Sequence, residues 1–183
     1  MSWIVFFRKF RNVLSQWRQA HSFGRTSQPM VFPKELLSRR EPLGECCEQL
    51  ARWYLESTVG MRFIEKNARP QINGLRGSIS GELDLVMEMP DANRTLVFVE
   101  VRSRADLWTF YGTPAQSISF KKKQKVCHAA RCWLLQKKIS ALHPVRFDVI
   151  SVVWPPDQEP QISYFPNAFS WQESAWQRQG KVY

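Results

Sequence analysis

The chain has 183 residues, 44% hydrophobic and 23% charged, a balance that suits one packed domain of ordinary size plus an extension. No stretch approaches the ~18–20 uninterrupted apolar residues of a spanning helix. The short run Trp3–Phe7 precedes its basic residues Arg8 and Lys9, the reverse of a secretory signal, so a cytoplasmic protein is expected. The formal charge of +10 is unevenly spread: residues 1–40 carry eight Lys/Arg against one acid, and the rest eighteen against fifteen. A polyanion such as nucleic acid is the natural partner of such fields; anionic lipid competes, and a merely solvated basic face is the bland alternative.

Residues 1–40 read as a basic N-terminal arm and linker. Trp3, Phe6, Phe7, Phe10, Val13, Leu14 and Trp17 recur at helical spacing among Arg8, Arg11 and Arg18, which predicts an amphipathic helix able to meet an anionic membrane or a partner groove. From His21 to Pro33 the chain is polar and broken by Gly and Pro. A helix is predicted from about Pro42 to Glu56, with Leu43, Cys47, Leu50, Tyr54 and Leu55 on its apolar stripe. A strand over Met61–Ala68 follows, and then Gly74, Gly77 and Gly81 suggest a flexible connection. Strands over Glu82–Glu88 and Thr95–Arg102 flank the turn-forming Pro90–Asn93.

Residues 105–118 show no period; there Trp108, Phe110 and Tyr111 could stack on an unpaired base or pack as a lid. A helix over Phe120–Lys137 precedes a strand over Val145–Val153, and the chain from Asp157 onward reads as irregular. The order is α-β-β-β-α-β, an α/β fold with a mixed central sheet flanked by helices, over a domain at 41–169 with a tail at 170–183. Cys46, Cys47, Cys127 and Cys132 contain no C-x-x-C pair and read as buried thiols, since Cys127 and Cys132 diverge by about 140 degrees around a helix. The spacing of His21, His128 and His143 builds no ligand set or triad.

The chemistry is concentrated in the two middle strands. Alternation places Glu82 with Asp84 on one face, and Glu100 with Arg102. In an antiparallel hairpin turning near Asp91-Ala92, opposed residues have numbers summing to about 183, so Asp84 falls beside Val99 or Glu100. Facing carboxylates repel unless a positive charge lies between them, and either Arg102 or a divalent cation can supply it. The first choice is an ordinary salt-bridged sheet face. However, Leu96–Val101 is apolar on both faces around Glu100, as in a central strand, where an ionised group needs a compensating role. Oxygen donors around Mg²⁺ fill such a role.

The stretch Gly81-Glu82-Leu83-Asp84-Leu85-Val86, followed by Leu96–Arg104, resembles the signature of the YraN-like family, expected to be endonuclease-like within the PD-(D/E)XK superfamily. Weaker matches follow in order: Gly44, Glu48, Ala51, Tyr54 and Leu55; Asn67 and Arg69; Gly112, Pro114 and Lys122; Arg146–Ile150; and Asn167–Phe169. The resemblance spans roughly 43–169 and implies a restriction-endonuclease-like core and a metal-dependent nuclease acting on DNA. By position it implies Asp84 and Glu100 as ligands of Mg²⁺ or Mn²⁺, with Glu48 reaching the same site from the first helix. Arg102 stands where the superfamily has Lys. Arg keeps its charge at any working pH, so it can orient or neutralise but not accept a proton, and base duty would pass to the metal and its water. That departure keeps open a nucleic-acid-binding module without useful hydrolysis. Lys121, Lys122, Lys123 and Lys125 are candidates for the phosphate backbone; Glu82 is either a supporting acid or a surface residue, and Glu45 reads as surface.

Overall fold

A computed structural model of the chain describes residues 30–37, 41–70, 81–105 and 118–171. The fold below is that of the compact unit Lys34–Tyr183. Most of the predicted arm, and the 106–117 segment with Trp108, Phe110 and Tyr111, lie outside the described residues.

After a single helical turn, α1 (Lys34–Leu37), helix α2 spans Leu43–Ser57. Pro42 opens it without an N–H to satisfy, and its carbonyl accepts the first helical hydrogen bond from Cys46 N at 3.1 Å. The buried stripe is Cys46, Cys47, Leu50, Ala51 and Leu55. The helix ends at a turn in which Gly60 adopts φ +80°, a conformation that glycine takes without steric cost, and Met61 N reaches back to Leu55 O at 2.9 Å. Strands β1 (Arg62–Ala68), β2 (Leu83–Glu88) and β3 (Leu96–Arg104) then form an antiparallel meander. Helix α3 (Phe120–Gln136) crosses to β4 (Val145–Val153), which lies parallel to β3 from Leu96↔Val145 to Arg104↔Val153.

The sheet runs β1-β2-β3-β4-β5, with β5 (Gln161–Phe169) antiparallel to β4. This strand lies in the stretch read as irregular from sequence. Pro166 and Asn167 interrupt its pattern, but β5 is an edge strand, where a missing N–H faces no partner strand. Central β3 is buried on both faces over Leu96–Val99, as its doubly apolar sequence requires.

The helices cover opposite faces. On one, Tyr54 of α2 meets Tyr164 edge-on at 6.1 Å, and Arg52 caps the Phe63 ring at 3.6 Å. On the other, Trp133 of α3 packs edge-on against Phe98 at 5.7 Å, and its indole N–H donates to Glu65 Oε2 at 3.0 Å. Phe98, Phe147 and Phe169 stack across β3, β4 and β5 on this face. The product is a helix–sheet–helix sandwich around a mixed sheet, consistent with a restriction-endonuclease-like core.

One buried polar network ties the far edge down. Asp148, fully buried, takes two hydrogen bonds from Arg146 at 2.8 and 2.7 Å, one from Tyr164 O–H and one from Asn167 N at 2.8 Å. These follow the β4–β5 irregularity and the left-handed Asn167 (φ 51°), so the carboxylate holds a strand whose ladder is locally broken. The four cysteines are buried and none is in a disulfide, and no described helix is long and apolar enough to cross a membrane.

Candidate metal centre

The β2–β3 ladder runs from Glu88↔Leu96 to Leu85↔Val99, so opposed numbers sum to 184, within one of the value expected from the turn. Asp84 is therefore at the level of Glu100. The strands part there, because β3 continues alongside β4 while β2 begins at Leu83. At the parting, Asp84 Oδ2 accepts the Val101 N–H at 2.8 Å. A side-chain oxygen thus replaces a backbone carbonyl as partner of that amide, and it turns the carboxylate towards β3.

Glu100 is 3% exposed. Lys122, from the first turn of α3, places its ammonium 3.0 Å from Glu100 Oε2, and Arg102 lies 3.9 Å from Oε1. The ammonium approach is an ion-pair distance without hydrogen-bond alignment, so this buried Oε2 has no hydrogen-bond partner. Burial, then the neighbouring Asp84 charge, push the Glu100 carboxyl up to about 7 despite the pull of Lys122 and Arg102. Asp84 is also raised, chiefly by burial, with the Val101 hydrogen bond and Lys122 opposing. Two carboxyls in one desolvated niche thus resist full ionisation.

Glu48 lies near this pair without closing on it. Its carboxyl is raised by burial, steadied by a hydrogen bond with Asn67, and within electrostatic reach of Asp84 and Glu82. Among the described residues no three His, Cys, Asp or Glu side chains converge tightly enough to surround an ion by themselves. Two convergent carboxylates nevertheless suit a hard cation that keeps several waters, as Mg²⁺ does, and Glu100 Oε2, which has the Lys122 ammonium at 3.0 Å but no hydrogen bond, is an oxygen that could turn to it. Glu82 pairs with Arg69 at 3.1 Å, and Glu45 is exposed.

The four lysines of α3 separate. Lys121 and Lys125 are exposed, Lys123 lies 5.6 Å over the Phe169 ring, and Lys122 points at Glu100. Sequence reading gave Lys122 to a phosphate backbone and missed its place beside the carboxylates. Gly81, read as a flexible joint, has a tighter duty: a Cβ there would meet Lys125 O at 2.7 Å and Ala129 Cβ at 2.9 Å. The start of β2 therefore presses against α3 backbone to backbone, one turn from Lys122. Asn67, with φ 51°, is a further residue at the site that chemistry-bearing motifs did not single out. His128 lies 3.5 Å from Cys132 Sγ and His143 bonds Arg94 O at 3.1 Å, both away from the acids.

A family model described as "Uncharacterised protein family UPF0102" matches residues 47–152, a span that holds every acid of this centre and both of its cations. A relative from Polaromonas naphthalenivorans (strain CJ2) is 39% identical over 122 residues, covering 67% of this chain and 71% of its own. One from Haemophilus ducreyi is 40% identical over 125 residues, 67% of this chain and 88% of that relative. One from Stutzerimonas stutzeri is 37% identical over 133 residues, 73% of this chain and 98% of that relative. Each is named a UPF0102 protein, a name that carries no activity or cofactor. The strand signature and these relatives agree, and the chain belongs to the uncharacterised protein family UPF0102, the YraN-like group.

Proposed function

We propose that the chain is a metal-dependent nuclease that hydrolyses phosphodiester bonds in DNA, with Asp84 and Glu100 holding Mg²⁺ or Mn²⁺. The observation that carries this reading is the carboxylate pair at the parting of β2 and β3, Glu100 buried and Asp84 half-buried, with one Glu100 oxygen left without a hydrogen bond. A fold gains little from burying two like charges for structure alone, since desolvation opposes both. A site that must receive a cation gains from it.

The ion, when bound, supplies Lewis-acid chemistry: it lowers the pKa of a water and offsets charge on the scissile phosphate. The remaining work falls to the chain. The Val101 N–H fixes the Asp84 carboxylate, so the donor needs little reorganisation. Glu48, steadied by Asn67, adds negative charge from α2. Arg102, permanently charged and 36% exposed, can donate to phosphate oxygens as charge accumulates on them. Lys121 and Lys125, exposed at the start of α3, suit salt-sensitive contacts to the nucleic-acid backbone.

Incubation with branched, single-stranded and duplex DNA in Mg²⁺ or Mn²⁺ tests the proposal. Metal-dependent product is expected from the wild type and none from Asp84→Ala or Glu100→Ala, with circular dichroism unchanged. Product from the double variant overturns it. One observation favours a second reading, a nucleic-acid-binding module without hydrolysis: Arg102 and Lys122 already neutralise Glu100 with the protein's own cations. DNA binding with no metal-dependent product on any substrate supports that reading instead.

A further inference from the structure

The two cations beside Glu100 are held differently. Arg102 projects from β3 itself, two residues from Glu100. Lys122 comes from α3, where Ser119 caps the helix: its carbonyl and hydroxyl accept from Lys122 N at 2.9 and 3.3 Å. The Lys122 backbone is thereby fixed, while its long stem reaches the niche with 35% of the side chain exposed. A lysine is poorly placed in the first turn of a helix, where the macrodipole is positive, and no acid shares that turn. Its compensation comes across the fold, from Glu100 Oε2 at 3.0 Å.

That oxygen is also the one that the carboxylate pair offers to an ion. An ammonium at 3.0 Å and a divalent cation on the same oxygen repel strongly in a desolvated niche. We infer that Lys122 is a displaceable internal counter-ion: it neutralises Glu100 in the ion-free protein and moves to a phosphodiester oxygen on loading, so that divalent-ion and nucleic-acid binding become cooperative. This rests on the carboxylate pair holding a divalent ion, as proposed above. The coupling is reciprocal. A phosphate that draws the ammonium away vacates Glu100 Oε2 for the ion, and an ion on Glu100 releases the ammonium to the phosphate. A compact point charge on a flexible four-carbon stem suits such an exchange better than a planar guanidinium does.

Mn²⁺ binding, read from the electron paramagnetic resonance of free Mn²⁺, tests this with wild type, Lys122→Met and Lys122→Arg, alone and with a phosphorothioate-linked oligonucleotide. Lys122→Met should bind Mn²⁺ alone about tenfold more tightly than wild type, within the ~5- to 150-fold span typical of coupled sites. The oligonucleotide should tighten wild-type Mn²⁺ binding by a similar factor and leave Lys122→Met unchanged. Lys122→Arg, which keeps the charge, should bind Mn²⁺ alone no more tightly than wild type. In EDTA, Lys122→Met should melt below wild type, because Glu100 has lost a counter-ion, and Mn²⁺ should restore it. Equal or weaker Mn²⁺ affinity in Lys122→Met overturns the inference and leaves the proposed function standing. So does an oligonucleotide without effect on wild-type Mn²⁺ affinity, whether or not Lys122→Met folds. Mn²⁺ binding that survives Asp84→Asn and Glu100→Gln together, or that is absent from every protein, overturns both.

Discussion

Replacing Glu100 by Gln should stabilise the metal-free protein at neutral and alkaline pH, because the carboxylate is kept at a cost to the fold. Glu100 is 3% exposed, and burial followed by Asp84 lifts its carboxyl from 4.5 to about 7. The folded protein therefore binds this proton more tightly than the unfolded chain does. Below about pH 4.5 the group is neutral in both states and contributes nothing; between about 4.5 and about 7 stability falls as pH rises; above about 7 the loss is complete. The rise from 4.5 to about 7, at ~1.36 kcal/mol per pH unit, amounts to roughly 3 kcal/mol. Gln keeps the shape and carries no charge, and Lys122, a third exposed, can turn to water. Urea unfolding in EDTA should show wild type and Glu100→Gln nearly equal at about pH 4.5, with the gap widening to roughly 3 kcal/mol at pH 8, or about 6–12 °C in melting temperature for a unit of this size. A Glu100→Gln protein less stable than wild type at pH 8, or a gap that ignores pH, refutes the reasoning. Glu100 would then be an ordinary partner of Lys122 and Arg102 rather than a strained one.

Three further changes probe the frame and the chemistry. Asp148→Ala strands the half-buried Arg146 guanidinium and frees Tyr164 and Asn167, so chemical denaturation should register a loss of about 3–5 kcal/mol, and a loss under 1 kcal/mol would show the network to be dispensable. Gly81→Ala pushes a methyl to 2.7 Å from Lys125 O, where backbone rather than a flexible side chain must give way; a destabilisation of about 1–3 kcal/mol is expected by thermal melting, with a neutral result contradicting the close approach. Arg102→Lys restores a group that can lose its proton, so metal-dependent cleavage at pH 8 should rise at least roughly tenfold, below the ~10²–10⁴ that a well-placed general base supplies. A fall in rate would show that the phosphate contacts proposed for Arg102 need its guanidinium and outweigh any gain from a base at this position.

The legible parts of this fold were those written in local pattern. Leu83, Leu85 and Met87 alternating with Glu82, Asp84 and Val86, then Val97, Val99 and Val101 after a Pro-Asp-Ala-Asn turn, placed the hairpin register within one residue and Asp84 beside Val99 or Glu100, and the observed register settles on Glu100. The stripe of α2 and the Pro42 boundary were equally plain. What stayed hidden depends on contacts between segments far apart in sequence. Strand β5 escaped because Pro166 and Asn167 look like breakers, and only its place at the sheet edge makes them tolerable. Gly81 looked like a hinge because no local pattern announces a helix pressing on it. Lys122 looked like one of four basic residues on a helix, and its distinction arises only when α3 lays that turn over β3.

Crystals soaked in Mn²⁺ test the central claim most directly. If Asp84 and Glu100 form an ion site, an anomalous peak stands between β2 and β3 within roughly 2.0–2.4 Å of an oxygen from each carboxylate, and it vanishes in Glu100→Gln crystals. A map without such a peak at saturating Mn²⁺, or one whose peak leaves either carboxylate uncoordinated, contradicts the claim.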